Sequence, residues 1–68
     1  MVTEFVEGEV YTNKKLDYDI MVYAVASKTT DEVVLAIGKI NRESEEMFAP
    51  GEITVKTSEF SDWELVEL

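Results

Sequence analysis

Between Tyr18 and Arg42 two long apolar arms flank a short polar stretch, and the rest of the chain is organised around them. Val, Ile and Tyr dominate both arms, and these residues suit a pleated, half-buried surface. Lys28-Thr29-Thr30-Asp31 between the arms predicts a hairpin loop. Pairing the arms around that loop sets Ser27 opposite Glu32, Ala26 opposite Val33, Ala24 opposite Leu35 and Val22 opposite Ile37. One face then gathers Ile20, Val22, Ala24, Ala26, Val33, Leu35 and Ile37, with Lys39 opposite Ile20 out of pattern. The other face carries Asp19, Met21, Tyr23, Val25, Val34, Ala36, Gly38 and Ile40. A slip of one residue would place facing side chains on different faces, so the pattern selects this register. The second face is too apolar to be simply solvated. Either the hairpin curves so that both faces are covered, as in a small barrel, or a second copy covers it and the protein is a homodimer.

The flanking segments add three strands. Val10 and Tyr11 lie in a first strand centred on Glu9 to Thr12, with Gly8 marking a bend before it. Asn13 to Asp17 forms the loop into the hairpin. Asn41 to Pro50 predicts an exposed acidic loop from which Met47 and Phe48 fold back onto the core, and Ala49-Pro50-Gly51 has the residues of a turn. Glu52 to Thr57 alternates, which predicts a fourth strand with Ile53 and Val55 inward. The last residues admit two readings. Phe60, Trp63 and Val66 recur every third position, and Ser61 to Glu64 fits a capping box, but so short a helix has little to hold it. The preferred alternative is a 3₁₀ turn over Ser58 to Asp62 and a fifth strand from Trp63 to Leu68.

Five short strands with a 3₁₀ turn before the last resemble the small Src-homology-3-like barrels, including the Tudor and KOW modules. The expectation is a single all-β domain over residues 1–68, a five-stranded antiparallel barrel. The likeness lies in strand order and spacing. The Ala-Leu-Tyr-Asp-Tyr stretch of the proline-rich-peptide binders is absent, so their ligand is not carried over. Tudor-like barrels hold methylated Lys or Arg in aromatic cages beside an acid. Tyr11, Tyr18, Tyr23, Phe48, Phe60 and Trp63 supply aromatics, although core packing is the simpler use of Phe48, Phe60 and Trp63. Short acidic single-domain proteins of this kind also resemble products of bacteriophage genomes.

Composition narrows the function more than the fold. At 68 residues the chain is near the lower size limit for an unstapled domain, and its 46% apolar content suffices for one small core. Without Cys or His, disulfides and the usual zinc sites are excluded. The apolar run through Met21 to Ala26 is far short of the roughly 20 residues of a membrane span. No basic, cleavable apolar leader is recognisable, so a cytoplasmic protein is expected. Fifteen acids against six bases give a net charge of −9. The last 28 residues hold eight acids and two bases, which places −6 of that charge there. Direct nucleic-acid binding and anionic membranes are both disfavoured by this balance.

Catalysis is hard to build from the same inventory. A nucleophile would have to be a Ser or Thr, and Ser27, Ser44, Ser58 and Ser61 all fall at predicted turns, where hydroxyls cap backbone groups. Three isolated glycines make no phosphate loop. Asp17-Tyr18-Asp19 and Glu43-Ser44-Glu45-Glu46 lack the spacing of a calcium loop, and no cofactor is implied. The expectation is a non-enzymatic protein-binding module whose partner-binding residues are Glu43, Glu45, Glu46 and Glu52, offered to a partner with a basic surface. Two alternatives are an acidic nucleic-acid mimic that inhibits a nucleic-acid-binding protein, with Glu59, Asp62, Glu64 and Glu67 extending the row, and a structural homo-oligomer.

Overall fold

A computed structural model describes residues 2–67. Five antiparallel strands form one sheet: β1 (Val10–Asn13), β2 (Asp19–Lys28), β3 (Glu32–Ile40), β4 (Met47–Lys56) and β5 (Trp63–Leu65). Their spatial order is β4-β3-β2-β1-β5, with a 3₁₀ turn (Thr57–Asp62) between β4 and β5. The chain is thus all-β, as its pattern predicts. The sheet is open, however: among the described residues no ladder joins its edge strands β4 and β5, and the 3₁₀ turn lies between them in the chain. Thr57 fixes the start of that turn by donating its N–H to Asp31 O at 2.9 Å and its hydroxyl to Thr30 O at 3.2 Å.

The central hairpin buries the face its alternation marks out. Ile20, Val22, Leu35 and Ile37 are the largest fully buried side chains. Val33 joins them from β3, Val55 from β4, and Tyr11 and Trp63 from the opposite side. Val22 pairs with Ile37 and Ile20 with Lys39, as expected. Beyond Val22 the expected register fails. Two irregularities in β2, between Val22 and Ala24 and between Val25 and Ser27, shift the pairing to Ala24–Ala36, Val25–Leu35 and Ser27–Val34. A bulge inserts one residue and reverses which side chains face inward. Val25 therefore turns to the core side, where it borders a cleft with Phe5, Val33 and Phe60, while Ala24 moves to the outer face beside Ala36. Ala26 is exposed rather than inward.

The N-terminal segment closes the core. Gly8 takes φ 86°, a left-handed conformation that glycine adopts without strain, and its N–H bonds Val22 O at 2.8 Å. This bend sends the preceding residues back over the sheet, where Val2 and Phe5 are buried. Three aromatic rings meet Phe5 edge-on: Tyr11 at 4.7 Å, Phe60 at 5.2 Å and Trp63 at 5.6 Å between centroids. Such edge contacts add to the stabilisation from ring burial. The Tyr11 hydroxyl also accepts the Val6 N–H at 2.8 Å, so the segment is held by polar as well as apolar contacts.

Two further expectations change. Ala49-Pro50-Gly51 lies inside β4 rather than in a turn, with Pro50 opposite Gly38. β4 is an edge strand, and an edge tolerates Pro because half of its N–H groups have no ladder partner to lose. Met47 and Phe48 do not fold back onto the core; they are 43% and 59% exposed. At the other end, Trp63–Leu65 forms the fifth strand and Val66 continues it with a bond to Val10 O, whereas Leu68 lies outside the described residues.

Candidate protein-interaction surface

The outer face of the sheet is built by the residues that alternate with the core. Pairing places Val10 beside Met21, Val34 beside Thr54, Ala36 between Ala24 and Glu52, Gly38 between Met21 and Pro50, and Ile40 beside Met47. The covering N-terminal segment lies on the other side, so nothing described in the chain folds over these residues. Met21, Val34, Ala36 and Ile40 are half-buried by their neighbours, while Tyr23 is 48% exposed. Gly38 explains how Tyr23 and Met47 come together. A Cβ there would lie 2.5 Å from Met47 Sδ and 3.1 Å from the Tyr23 hydroxyl, so both side chains lie over the bare backbone. Tyr23 donates its hydroxyl to the Met47 sulfur across that gap.

The acidic end of this face is a tightly organised loop between β3 and β4. Asn41 Oδ1 accepts the N–H groups of Glu43 at 2.9 Å and Ser44 at 3.2 Å. Asn41 also donates its N–H to Glu46 O at 2.8 Å, and its carbonyl accepts the Glu45 N–H at 2.7 Å. Glu45 sits at φ 59°, a left-handed conformation that closes the turn and is uncommon for a residue with a Cβ. Arg42 is turned away from the acids beside it. Its Nε donates to Asp19 Oδ1 at 2.7 Å, and its Nη2 donates to Asn13 O at 3.0 Å, Tyr18 O at 3.1 Å and Thr12 Oγ1 at 3.2 Å. This clamp ties the loop to β1 and to the start of β2, and commits the cation next to the glutamates in sequence to other partners.

The structure brings three of the expected partner-binding residues together and separates the fourth. Glu43, Glu45 and Glu46 are exposed on the one loop, and among the described residues none of them forms an ion pair. Glu52 is also exposed but lies in β4 opposite Ala36. At the rise of an extended strand it is roughly 16 Å from Met47. Glu52 therefore flanks the apolar strip along its length while the loop acids sit at its end. Of the acids expected to extend the row, Glu64 is exposed on β5 at the far edge of the sheet. Asp62 is engaged: Lys15 Nζ donates to its Oδ2 at 3.0 Å. The Asp62 hydrogen bond, and then its charge, hold the Lys15 ammonium above its ordinary pKa.

The aromatic residues divide among three places. Tyr11, Phe60 and Trp63 pack around Phe5. Tyr18 and Phe48 meet edge-on at 6.2 Å, with Lys39 Nζ 5.0 Å from the Tyr18 ring centroid. Tyr23 stands alone on the outer face. Core packing thus absorbs the first group, and its own Lys39 occupies one ring of the second. Among the described residues no group of three or more acids is placed to hold a metal ion, and no helix is long and apolar enough to cross a membrane.

Sequence reasoning missed the Tyr23–Met47 platform and the Arg42 clamp. A glycine inside a strand signals close approach of another group, and Gly38 was the available cue. Nothing local announces the clamp, whose partners lie 23 to 30 residues away. Comparison with protein-family models, with curated proteins and with solved structures found no match.

Proposed function

We propose that this protein is a non-enzymatic docking module, and that the outer face of its sheet, with the acidic β3–β4 loop at one end, receives a partner with a basic surface. The observation that carries the reading is the platform over Gly38: an exposed tyrosine and an exposed methionine beside an apolar strip, bordered by unpaired glutamates. Tyrosine and methionine are enriched at the centres of interfaces, where desolvated anchors carry most of the energy. Exposed carboxylates at the rim contribute steering and selectivity rather than bulk affinity. A nucleic-acid mimic would need acids in an extended, phosphate-spaced row. Here the acids fall in separate places, on the loop, midway along β4 and on β5, which favours docking of a compact basic surface. A cytoplasmic setting suits a module that carries no disulfide.

The test is to capture the partner with the native chain, purify it, and measure its equilibrium affinity for Tyr23→Ala and for Glu59→Lys as a charge control away from this face. Tyr23→Ala should weaken binding by about 2 kcal/mol, the size of an interface hot spot, with little change from Glu59→Lys. Equal affinities for native and Tyr23→Ala chains would remove the outer face from the interface. Self-association sealed by Tyr23, seen by sedimentation, would replace this reading with the homo-oligomer.

A further inference from the structure

On the other side of the molecule the N-terminal segment and β5 enclose an open cleft of about 540 Å³. Its floor is apolar: Val2, Val6, Tyr11 and Leu65 line it. Val6 and Leu65 are 47% and 45% exposed, among the more exposed large apolar side chains of the described chain. Glu4, Glu9, Glu64 and Glu67 rim the same cleft. All four are exposed, and among the described residues none has an ion-pair partner.

The backbone beside the cleft is also unsatisfied by the fold. β5 is an edge strand paired only with β1. Val66 donates its N–H to Val10 O at 2.9 Å, and in an antiparallel ladder the groups facing the partner strand alternate along the chain. Glu64 and Val66 therefore present their backbone groups to β1. Leu65, opposite Tyr11 in a non-bonded pair, turns its N–H and C=O to the free edge. Among the described residues no backbone hydrogen bond crosses from residues 2–5 to that edge.

We propose that this cleft is a second binding site, which takes an extended peptide segment of alternating basic and apolar residues as an added strand on β5. An extended chain would pair with the free Leu65 groups, place its apolar side chains on Val6 and Leu65, and place its Lys or Arg side chains against the glutamates. Main-chain bonds would give affinity and the alternate side chains selectivity, the usual division in strand addition. A second copy of this chain fits poorly as the occupant. Edge-to-edge pairing of β5 with itself would crowd the exposed acidic rims of both copies, Glu64 and Glu67 among them, into one seam, where like charges brought close are destabilising. The site is independent of the outer face, so either can fail without the other.

The probe is a short capped peptide alternating Lys and Val, titrated into the full chain and followed by amide chemical shifts. Shifts should concentrate at Val6, Tyr11 and residues 64–67, with affinity falling as salt rises. Glu64→Lys with Glu67→Lys should weaken binding about tenfold or more, whereas Glu43→Lys with Glu45→Lys, which changes net charge equally, should alter it far less. N-methylating alternate peptide residues should also weaken binding, because it removes the ladder donors. Equal losses from the two charge reversals would mean only diffuse attraction to an acidic protein and would overturn the site. Shifts mapping to the outer face, or unaltered binding of the N-methylated peptide, would overturn it as well.

Discussion

Replacing Phe5 with Ala tests whether the N-terminal segment is structural. Phe5 is 7% exposed, and it is the hub of three edge-on aromatic contacts. Truncating a buried Phe to Ala costs about 3–5 kcal/mol, from lost transfer energy and the cavity left behind. A domain of 68 residues has a total stability of about 3–10 kcal/mol at ordinary values per residue. The substitution should therefore remove a large part of the whole. Urea unfolding supplies the assay, because Trp63 is the only tryptophan and its ring centroid lies 5.6 Å from that of Phe5. With a urea slope near ~1 kcal/mol per molar for a small domain, the midpoint should fall by about 3 M or more. If instead the segment peels away alone, Trp63 emission should shift to the red before the strand signal in circular dichroism is lost. A loss below about 1 kcal/mol with native Trp63 emission would refute the reasoning, since a buried aromatic hub cannot be removed so cheaply.

Other perturbations separate the remaining features. Leu35→Ala empties the centre of the sheet, where Leu35 is fully buried, and should cost about 2–5 kcal/mol in the same denaturation assay. Arg42→Ala removes the clamp joining the β3–β4 loop to β1 and β2; a loss of about 1–3 kcal/mol, with faster amide exchange at residues 41–46, is expected for hydrogen bonds made by a charged group. Gly38→Ala drives a Cβ into the flexible ends of Met47 and Tyr23, which can move, so it should cost less than the ~1–3 kcal/mol of an overpacked core while weakening partner binding. Asp62→Asn should lower the Lys15 pKa, measured by side-chain nitrogen NMR, because the Asp62 hydrogen bond and charge raise it. With a raised folded-state pKa, the small stabilisation from this exposed pair is present at neutral pH and disappears only as pH climbs through the alkaline range.

The hairpin core was legible because Ile20, Val22, Leu35 and Ile37 alternate with residues that cannot compete for burial as strongly. The bulges were not. Between Val22 and Ser27 the chain reads Tyr-Ala-Val-Ala, in which every residue tolerates either face, so periodicity alone does not place Val25. Val25 borders a cleft with Phe5 and Phe60, residues distant in sequence, while staying 37% exposed, so neither periodicity nor burial marks its position in advance. Phe5 was hidden for the same reason: it sits in a short Glu-rich segment without strand or helix periodicity, and its value comes from rings at positions 11, 60 and 63. Pro50-Gly51 has turn chemistry, yet the edge position of β4 lets the strand continue through it. For the candidate surface, the exposure of Glu43, Glu45 and Glu46 followed from their density. Their separation from Glu52 depended on strand β4 beginning at Met47, earlier than the local signals place it.

The central claim is that the acidic loop steers a basic partner to the outer face. Its most direct test is the association rate of the purified partner across a range of salt concentrations, for the native chain and for Glu43→Lys, Glu45→Lys, Glu46→Lys combined. The native rate should fall steeply as salt rises, and the reversed chain should bind much more slowly at low salt, with the two rates converging when charges are screened. Identical rates at every salt concentration, from a reversed chain with native circular dichroism, would contradict the claim and leave the loop a solvated surface.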